Sequence, residues 1–331
     1  MYELKEQVET IVDKLSLKMR GQQHIVNDIV IPQGKLGSIA DQYKQTTAMG
    51  YPVFYEDINH VYFVQTLANR FPLISATTLI ELFVEEFDSP KMSLHCANKP
   101  VYECAFLNKL GWEFLTLEQK AERIALAWKE NSEDANQYGT AAHMGCEYLA
   151  KIPGMNDEEI FQHVLSRCGE SVTRPIIRTI LGNVRNILTG FKQAGWQCVA
   201  EPVLVEPDMC IAGQSDLVMV NHTTKKLWIL DYKSNKERPG TKRAFSKMLG
   251  FFSQYDSIDW YHYCIQLSLY YLMLKQQYPG YELENMTLLW LDPATGEVVP
   301  IPIDIKYWVP VIEDFKNYYM LNRIPSRVYE Q

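Results

Sequence analysis

The sequence predicts a mixed α/β fold, and three stretches carry that expectation. Residues 213–233 read as two apolar strands, GQSDLVMV and LWILDYK, joined by the polar turn NHTTKK. Before them, Ile177, Ile180, Leu181, Val184, Ile187, Leu188 and Phe191 recur at helical spacing. After them, SIDWYHYCIQLSLYYLMLKQQY is a long helix followed by the short strands TLLWLD and GEVVPIPI. Helices, strand, hairpin, helix and strands in that order describe a sheet covered by helices.

Taken in order, residues 3–20 suit a helix through Leu4, Val8, Ile11, Val12 and Leu15, and IPQGKLGS suits a loop. VYFVQT (61–66) suits a strand. Ser75 can cap a helix running through ISATTLIELFVEEF, with Ile74 stapled against Leu79. Residues 91–112 carry no clear pattern. Leu115 to Glu130 is helical, and a second helix starts near Gly139, where His143 and Glu147 stand four apart on one face. Asn156 and Glu159 open a helix to about Cys168 in capping-box fashion. The helix after Pro175 stops at Gly195. QCVAEPVLVE then reads as a strand, with Pro202 marking an edge or bulge. A last helix covers about 307–321.

Composition narrows the function classes. A chain of 331 residues with 47% hydrophobic and 22% charged content is an ordinary globular protein of one large domain or two. No apolar run reaches the ~18 residues of a membrane span, and the N-terminus has no secretory core, so a cytoplasmic location is expected. The seven cysteines are odd in number and dispersed, without a CxxC pair, which argues for reduced thiols. The net charge of −8 argues against indiscriminate polyanion binding. Yet KSNKERPGTKRAFSK concentrates Lys233, Lys236, Arg238, Lys242, Arg243 and Lys247 against the single acid Glu237. It reads as a solvated loop or as a phosphate-contacting one.

The hairpin poses a chemical problem. If its turn is centred between Thr223 and Thr224, Asp216 faces Asp231, while Asp231 and Lys233 share one face and Tyr232 takes the other. Two facing carboxylates in apolar strands are costly unless positive charge sits between them, and a divalent cation answers that need. Mg²⁺ or Mn²⁺ held by carboxylates supports phosphodiester hydrolysis by lowering the pKa of bound water. A lysine beside it can orient or deprotonate the water and balance phosphate charge. The bland alternative makes Asp216 and Asp231 strand-end surface residues paired with Lys225 or Lys233.

Gly213-Gln214-Ser215-Asp216 followed by Asp231-Tyr232-Lys233 resembles the PD-(D/E)XK nuclease superfamily, and within it the RecB-type exonuclease branch. Gly139, His143 and Glu147 match that branch's upstream helix, and Gln266 and Tyr270 match its downstream one. Ser75-Ala76-Thr77 is a weaker echo of its opening motif. The resemblance covers about 139–275, and 73–300 loosely. It implies a restriction-endonuclease-like core, a mixed sheet flanked by helices, at about 196–300. It further implies a helical insertion at about 150–195 within a nuclease domain of 73–331, with residues 1–72 as an N-terminal extension. It also implies that Asp216, Asp231, His143 and the Tyr232 carbonyl ligate Mg²⁺ or Mn²⁺ and that Lys233 is catalytic. Gln266 and Tyr270 would position Lys233 or the DNA, and Glu201 occupies a commonly acidic position. Glu147 would orient His143 or act nearby. An imidazole ligand favours Mn²⁺ alongside Mg²⁺.

The match has departures. Ser215 stands where proline is usual. No cysteine follows Cys264, so an iron–sulfur cluster is not expected, and without GxxxxGK[ST] neither is ATP use. The expected substrate is DNA, single-stranded or at duplex ends, with Lys236, Arg238, Lys242, Arg243 and Lys247 along its backbone. A recombination or helicase partner is conceivable, in repair, recombination or phage DNA processing. Two alternatives stay open: a non-cleaving DNA-end-binding module, and a restriction-type endonuclease. His143 could also be structural, Gln266 and Tyr270 core-edge residues, and Trp260, Tyr261, Tyr263 and Tyr271 packing rather than base-stacking groups.

Overall fold

The computed structural model describes residues 2–29, 43–48, 51–56, 58–66, 69–99, 107–152, 154–242 and 244–329. Strands β8 (Leu217–Asn221) and β9 (Lys226–Lys233) form the hairpin. With β5 (Gln197–Ala200), β10 (Glu282–Leu291) and β11 (Val298–Ile303) they make a five-stranded sheet in the order β11-β10-β9-β8-β5. The hairpin register pairs Leu217 with Leu230 and Asn221 with Lys226, so one step further Asp216 stands opposite Asp231, as expected. Asn221 Oδ1 accepts from the Thr223 and Thr224 amides, and Lys225 closes the turn at φ 52°. The pairing of β9 with β10 is parallel, and the helix between them (Asp259–Gln277) supplies the crossover that parallel strands require.

Helices cover both faces, which is why the hairpin strands are apolar throughout rather than alternating. Val218, Val220, Leu227 and Ile229 join one core with α1 (Tyr2–Asp28), α2 (Ala76–Glu81), α7 (Asp259–Gln277) and α8 (Ile305–Leu321). Leu217, Met219, Leu230 and Tyr232 join the other with α4 (Leu117–Lys151), α5 (Asp157–Cys168) and α6 (Ile176–Gln193). Asp231 and Lys233 therefore point to the α7 side and Tyr232 away from it.

A second sheet is built from β1 (Tyr43–Ala48), β2 (Tyr51–Glu56), β3 (Val61–Gln65), β4 (Arg70–Ser75), β6 (Val203–Glu206) and β7 (Ile211–Gln214), ordered β1-β2-β3-β4-β7-β6. It curls until its edge strands β1 and β6 lie side by side. The inside of the curl holds Val53, Tyr55, Tyr62, Leu73, Val203, Val205 and Ala212, and α1 packs outside on Phe54, Val61 and Phe63 through Val26. The expected boundary at 72/73 falls inside β4, which pairs in parallel with β7 at Ile74 and Ser75.

Several expectations need correction. QCVAEPVLVE is two strands: the chain bends at Glu201-Pro202, leaving β5 in one sheet and β6 in the other. GQSDLVMV likewise breaks at Ser215-Asp216 between β7 and β8. The helices near 115–130 and from 139 are one 35-residue helix, α4, about 52 Å long. The polar run between them has no glycine or proline to stop it, and Thr116 with Gln119 closes a capping box at its start. Helix α1 runs on to Asp28, and α2 stops at Glu81 although Ser75 caps it through the Thr78 amide. Two further helices, α3 (Ser89–Ala97) and α9 (Ile324–Tyr329), were not expected, although Asp88 caps α3 through the Lys91 amide with Pro90 in its first turn. IPQGKLGS lies outside the described residues.

Candidate active site

The two breaks lie side by side. Glu201 adopts φ 48°, a left-handed conformation uncommon outside glycine, and its amide donates to the Asp216 carbonyl at 2.8 Å. Both chains thus leave one sheet and enter the other at the same level, and the carboxylates of Glu201 and Asp216 fall at this seam. Asp216 Oδ2 accepts from the Tyr232 amide at 2.6 Å, and its Oδ1 faces His143 Nδ1, on α4, at 3.5 Å. From β9, Lys233 Nζ lies 2.5 Å from Asp231 Oδ2 and donates to Gln266 Oε1 at 3.2 Å. Gln266 Nε2 in turn donates to the Tyr270 hydroxyl at 2.8 Å. The Lys233 ammonium also sits 4.5 Å from the centre of the Tyr263 ring.

Burial makes these charges act on one another strongly. The Asp231 and Lys233 side chains are 4% and 15% exposed. Burial pushes the Asp231 carboxyl up to about 6, with Lys233 only partly offsetting it. Asp216 goes the other way: burial would raise it, but His143, Lys233 and the Tyr232 amide together hold it below the usual range. Burial would also lower His143 and Lys233, yet Asp216 keeps the first above its ordinary value and Asp231 the second. Lys233 is therefore a fixed cation at neutral pH.

Close packing explains the motif glycines. A Cβ on Gly213 would meet the Tyr270 ring at 2.6 Å, so the strand before Asp216 must be bare for α7 to bring Gln266 to Lys233. A Cβ on Gly139 would meet Ser234 Oγ at 2.9 Å, where α4 crosses the chain leaving β9. Further along α4, Glu147 contacts Lys151, which also reaches Glu201 Oε2 at 3.2 Å. Burial and then its hydrogen bond with Glu201 push Glu147 up to about 7.

These groups open into a cleft of about 730 Å³. Its walls include Gly139, His143, Met144, Glu147 and Tyr148 of α4, Arg167 of α5, and Ser234 and Asn235 after β9. Glu201, Asp216 and Lys233 line it, and Tyr55 and Tyr62, paired across β2 and β3 at the mouth of the curled sheet, close one side.

A family model of the PD-(D/E)XK nuclease superfamily matches residues 111–316 of the 331, more than half of the chain. The chain belongs to the PD-(D/E)XK nuclease superfamily. No curated protein matches it. The PD-(D/E)XK match contains α4, the hairpin and α7, and with them His143, Glu147, Glu201, Asp216, Asp231, Lys233, Gln266 and Tyr270.

Divalent metals are the general cofactor of PD-(D/E)XK nucleases, and the residues at this seam fit one. Asp231 Oδ2 is buried without a hydrogen-bond partner, its lysine contact lacking hydrogen-bond geometry. The 3.5 Å between Asp216 Oδ1 and His143 Nδ1 is near the about 3 Å separating neighbouring ligands of an octahedral ion bound at about 2.1 Å. Among the described residues, no three His, Cys, Asp or Glu side chains close into a complete cage. A hard cation that keeps its waters and borrows substrate oxygens needs none.

The basic segment after this PD-(D/E)XK centre is arranged differently. Lys242 pairs with Asp259 at 2.8 Å and Lys247 with Asp256 at 2.6 Å, both at the surface. Lys236, Arg238, Lys242 and Lys247 are not among the cleft-lining residues, and Arg243 lies outside the described residues. Sequence reasoning missed Tyr55, Tyr62, Lys151 and Arg167. Lys151 alone left a trace, standing four residues after Glu147 on the face that already carried His143.

Proposed function

We propose that this chain is a divalent-cation-dependent deoxyribonuclease acting as an exonuclease on single strands or DNA ends. One observation carries the reading. Asp216 and Asp231 converge at the sheet seam with His143 from α4, and Lys233 is locked beside them through Gln266 and Tyr270. In this reading Asp216, Asp231, His143 and the Tyr232 carbonyl hold Mg²⁺ or Mn²⁺. Such an ion would supply charge that polarises the scissile phosphate and lowers the pKa of the attacking water, so that its deprotonated, nucleophilic form is available. Lys233, kept cationic by Asp231, offsets charge developing on the phosphate and orients the water rather than abstracting its proton. Gln266 and Tyr270 fix the lysine's direction, and Glu201 and Glu147 line the approach.

The shape of the cleft supports an end or an unpaired strand as substrate. A volume of about 730 Å³ between α4 and the Tyr55–Tyr62 wall has room for an end or an unpaired stretch of strand. Backbone beyond the cleft would run along Lys236, Arg238, Lys242, Arg243 and Lys247, with Lys242 and Lys247 exchanging Asp259 and Asp256 for phosphates. Incubation with end-labelled linear DNA and covalently closed circles, in Mg²⁺ or Mn²⁺, tests this. Loss of linear DNA alone is expected; cutting of closed circles would overturn the exonuclease reading.

A further inference from the structure

Lys151 ends α4, one turn beyond Glu147 and two beyond His143 on the same face. Its ammonium contacts Glu147 and lies 3.2 Å from Glu201 Oε2, with the lysine side chain 35% exposed. The Glu147 and Glu201 carboxylates, 24% and 16% exposed, repel unless a cation or a shared proton stands between them. Glu201 is also the left-handed residue whose amide holds the Asp216 carbonyl. Holding the Glu201 side chain therefore also steadies the bend from which Asp216 projects. Nothing in the sequence motifs around Asp216, Asp231 and Lys233 assigns this lysine a task.

We propose that Lys151 is a positioning residue: its ammonium clamps Glu147 of α4 to Glu201 of the sheet seam and so fixes the bend that presents Asp216. The effect on cleavage rests on the nuclease reading; the clamp itself does not. A cation at the end of α4 is further favoured by the helix dipole. Substitutions that keep the charge should keep the clamp. A Gln at position 147 should make it dispensable, because an amide removes one negative charge and can donate to Glu201 itself.

The test is a double-substitution cycle with Lys151→Met, Lys151→Arg, Glu147→Gln and Glu147→Gln/Lys151→Met, read in steady-state cleavage of end-labelled DNA and in melting temperature. Lys151→Met should lower kcat by roughly tenfold or more with KM within about twofold, and Lys151→Arg should recover most of the loss. Lys151→Met should also melt about 2–4 °C below wild type. In the Glu147→Gln background the same Met substitution should cost little by either readout. An equal penalty in both backgrounds, or no recovery with Arg, would overturn the clamp. If wild type cuts no DNA, the nuclease reading falls, and the melting cycle alone decides Lys151: a drop relieved by Glu147→Gln supports it, and no drop rejects it.

Discussion

The charged cluster around Asp231 and the basic segment 236–247 follow one another in the chain and are held in opposite ways. In the first, Lys233 and Asp231 are 15% and 4% exposed, and Lys233 is held by Asp231 of its own strand and by Gln266 of α7. In the second, Lys242 and Lys247 meet Asp259 and Asp256 in pairs whose side chains are more than a third exposed. Exposed pairs contribute about 0–1 kcal/mol and are screened by salt. Buried ones cannot be broken on one side without stranding the other charge. The same residue types are thus held in opposite ways: burial and fixed direction in the first, loose surface pairing in the second.

The largest effects should come from the buried cluster. Asp216→Asn should reduce cleavage by about a thousandfold or more, with circular dichroism unchanged. Chelation should abolish cleavage in the wild type. Mn²⁺ should raise the melting temperature of the wild type but not of Asp216→Asn, since only a protein that binds the ion is stabilised by it.

Next come the packing positions. Gly213→Ala drives a methyl group into the Tyr270 ring and should cost about 1–3 kcal/mol of stability, measured by urea unfolding, and displace Gln266 from Lys233. Gly139→Ala meets only the Ser234 hydroxyl, which can rotate away, so it should cost less than about 1 kcal/mol. Comparable losses at both glycines would break the link between α7 and the lysine.

Smaller still is a pH effect at the rim. Glu147 is pushed from its ordinary 4.5 to about 7, so the native state keeps a proton that the unfolded chain releases between those values. The stability it contributes is full below pH 4.5 and is lost as pH rises through 7. Glu147→Gln should flatten that part of the melting-temperature profile between pH 5 and 8, by about 2 °C. Last, Lys242→Ala and Lys247→Ala should weaken DNA binding only a few-fold, each reducing the salt slope by about one in binding titrations.

The sequence made legible what depends on short-range rules. The hairpin register followed from the polar turn, and the faces of Asp231, Tyr232 and Lys233 from the period-two alternation of side-chain direction along a strand. The capping boxes at Thr116 and Asn156 and the stop at Gly195 are likewise local signals. Pro202 marks an irregularity beside Glu201, but that the chain changes sheets there and at Ser215 was not legible, because apolar residues continue on both sides and the reason for each break is a second sheet. Tyr55 and Tyr62 enter the cleft only because β4 pairs with β7 across more than a hundred residues of chain, a contact no periodicity encodes. The long α4 was hidden by its own exposed middle, where no neighbour demands apolar residues.

The most direct measurement compares cleavage of end-labelled DNA by wild type, Asp231→Ala and Lys233→Ala at equal protein and Mg²⁺ or Mn²⁺ concentration. Cleavage by wild type and its loss in both variants, with fold retained, is the expected result. Variants that cut as fast as wild type would contradict the assignment of the strand-end cluster as the site of hydrolysis.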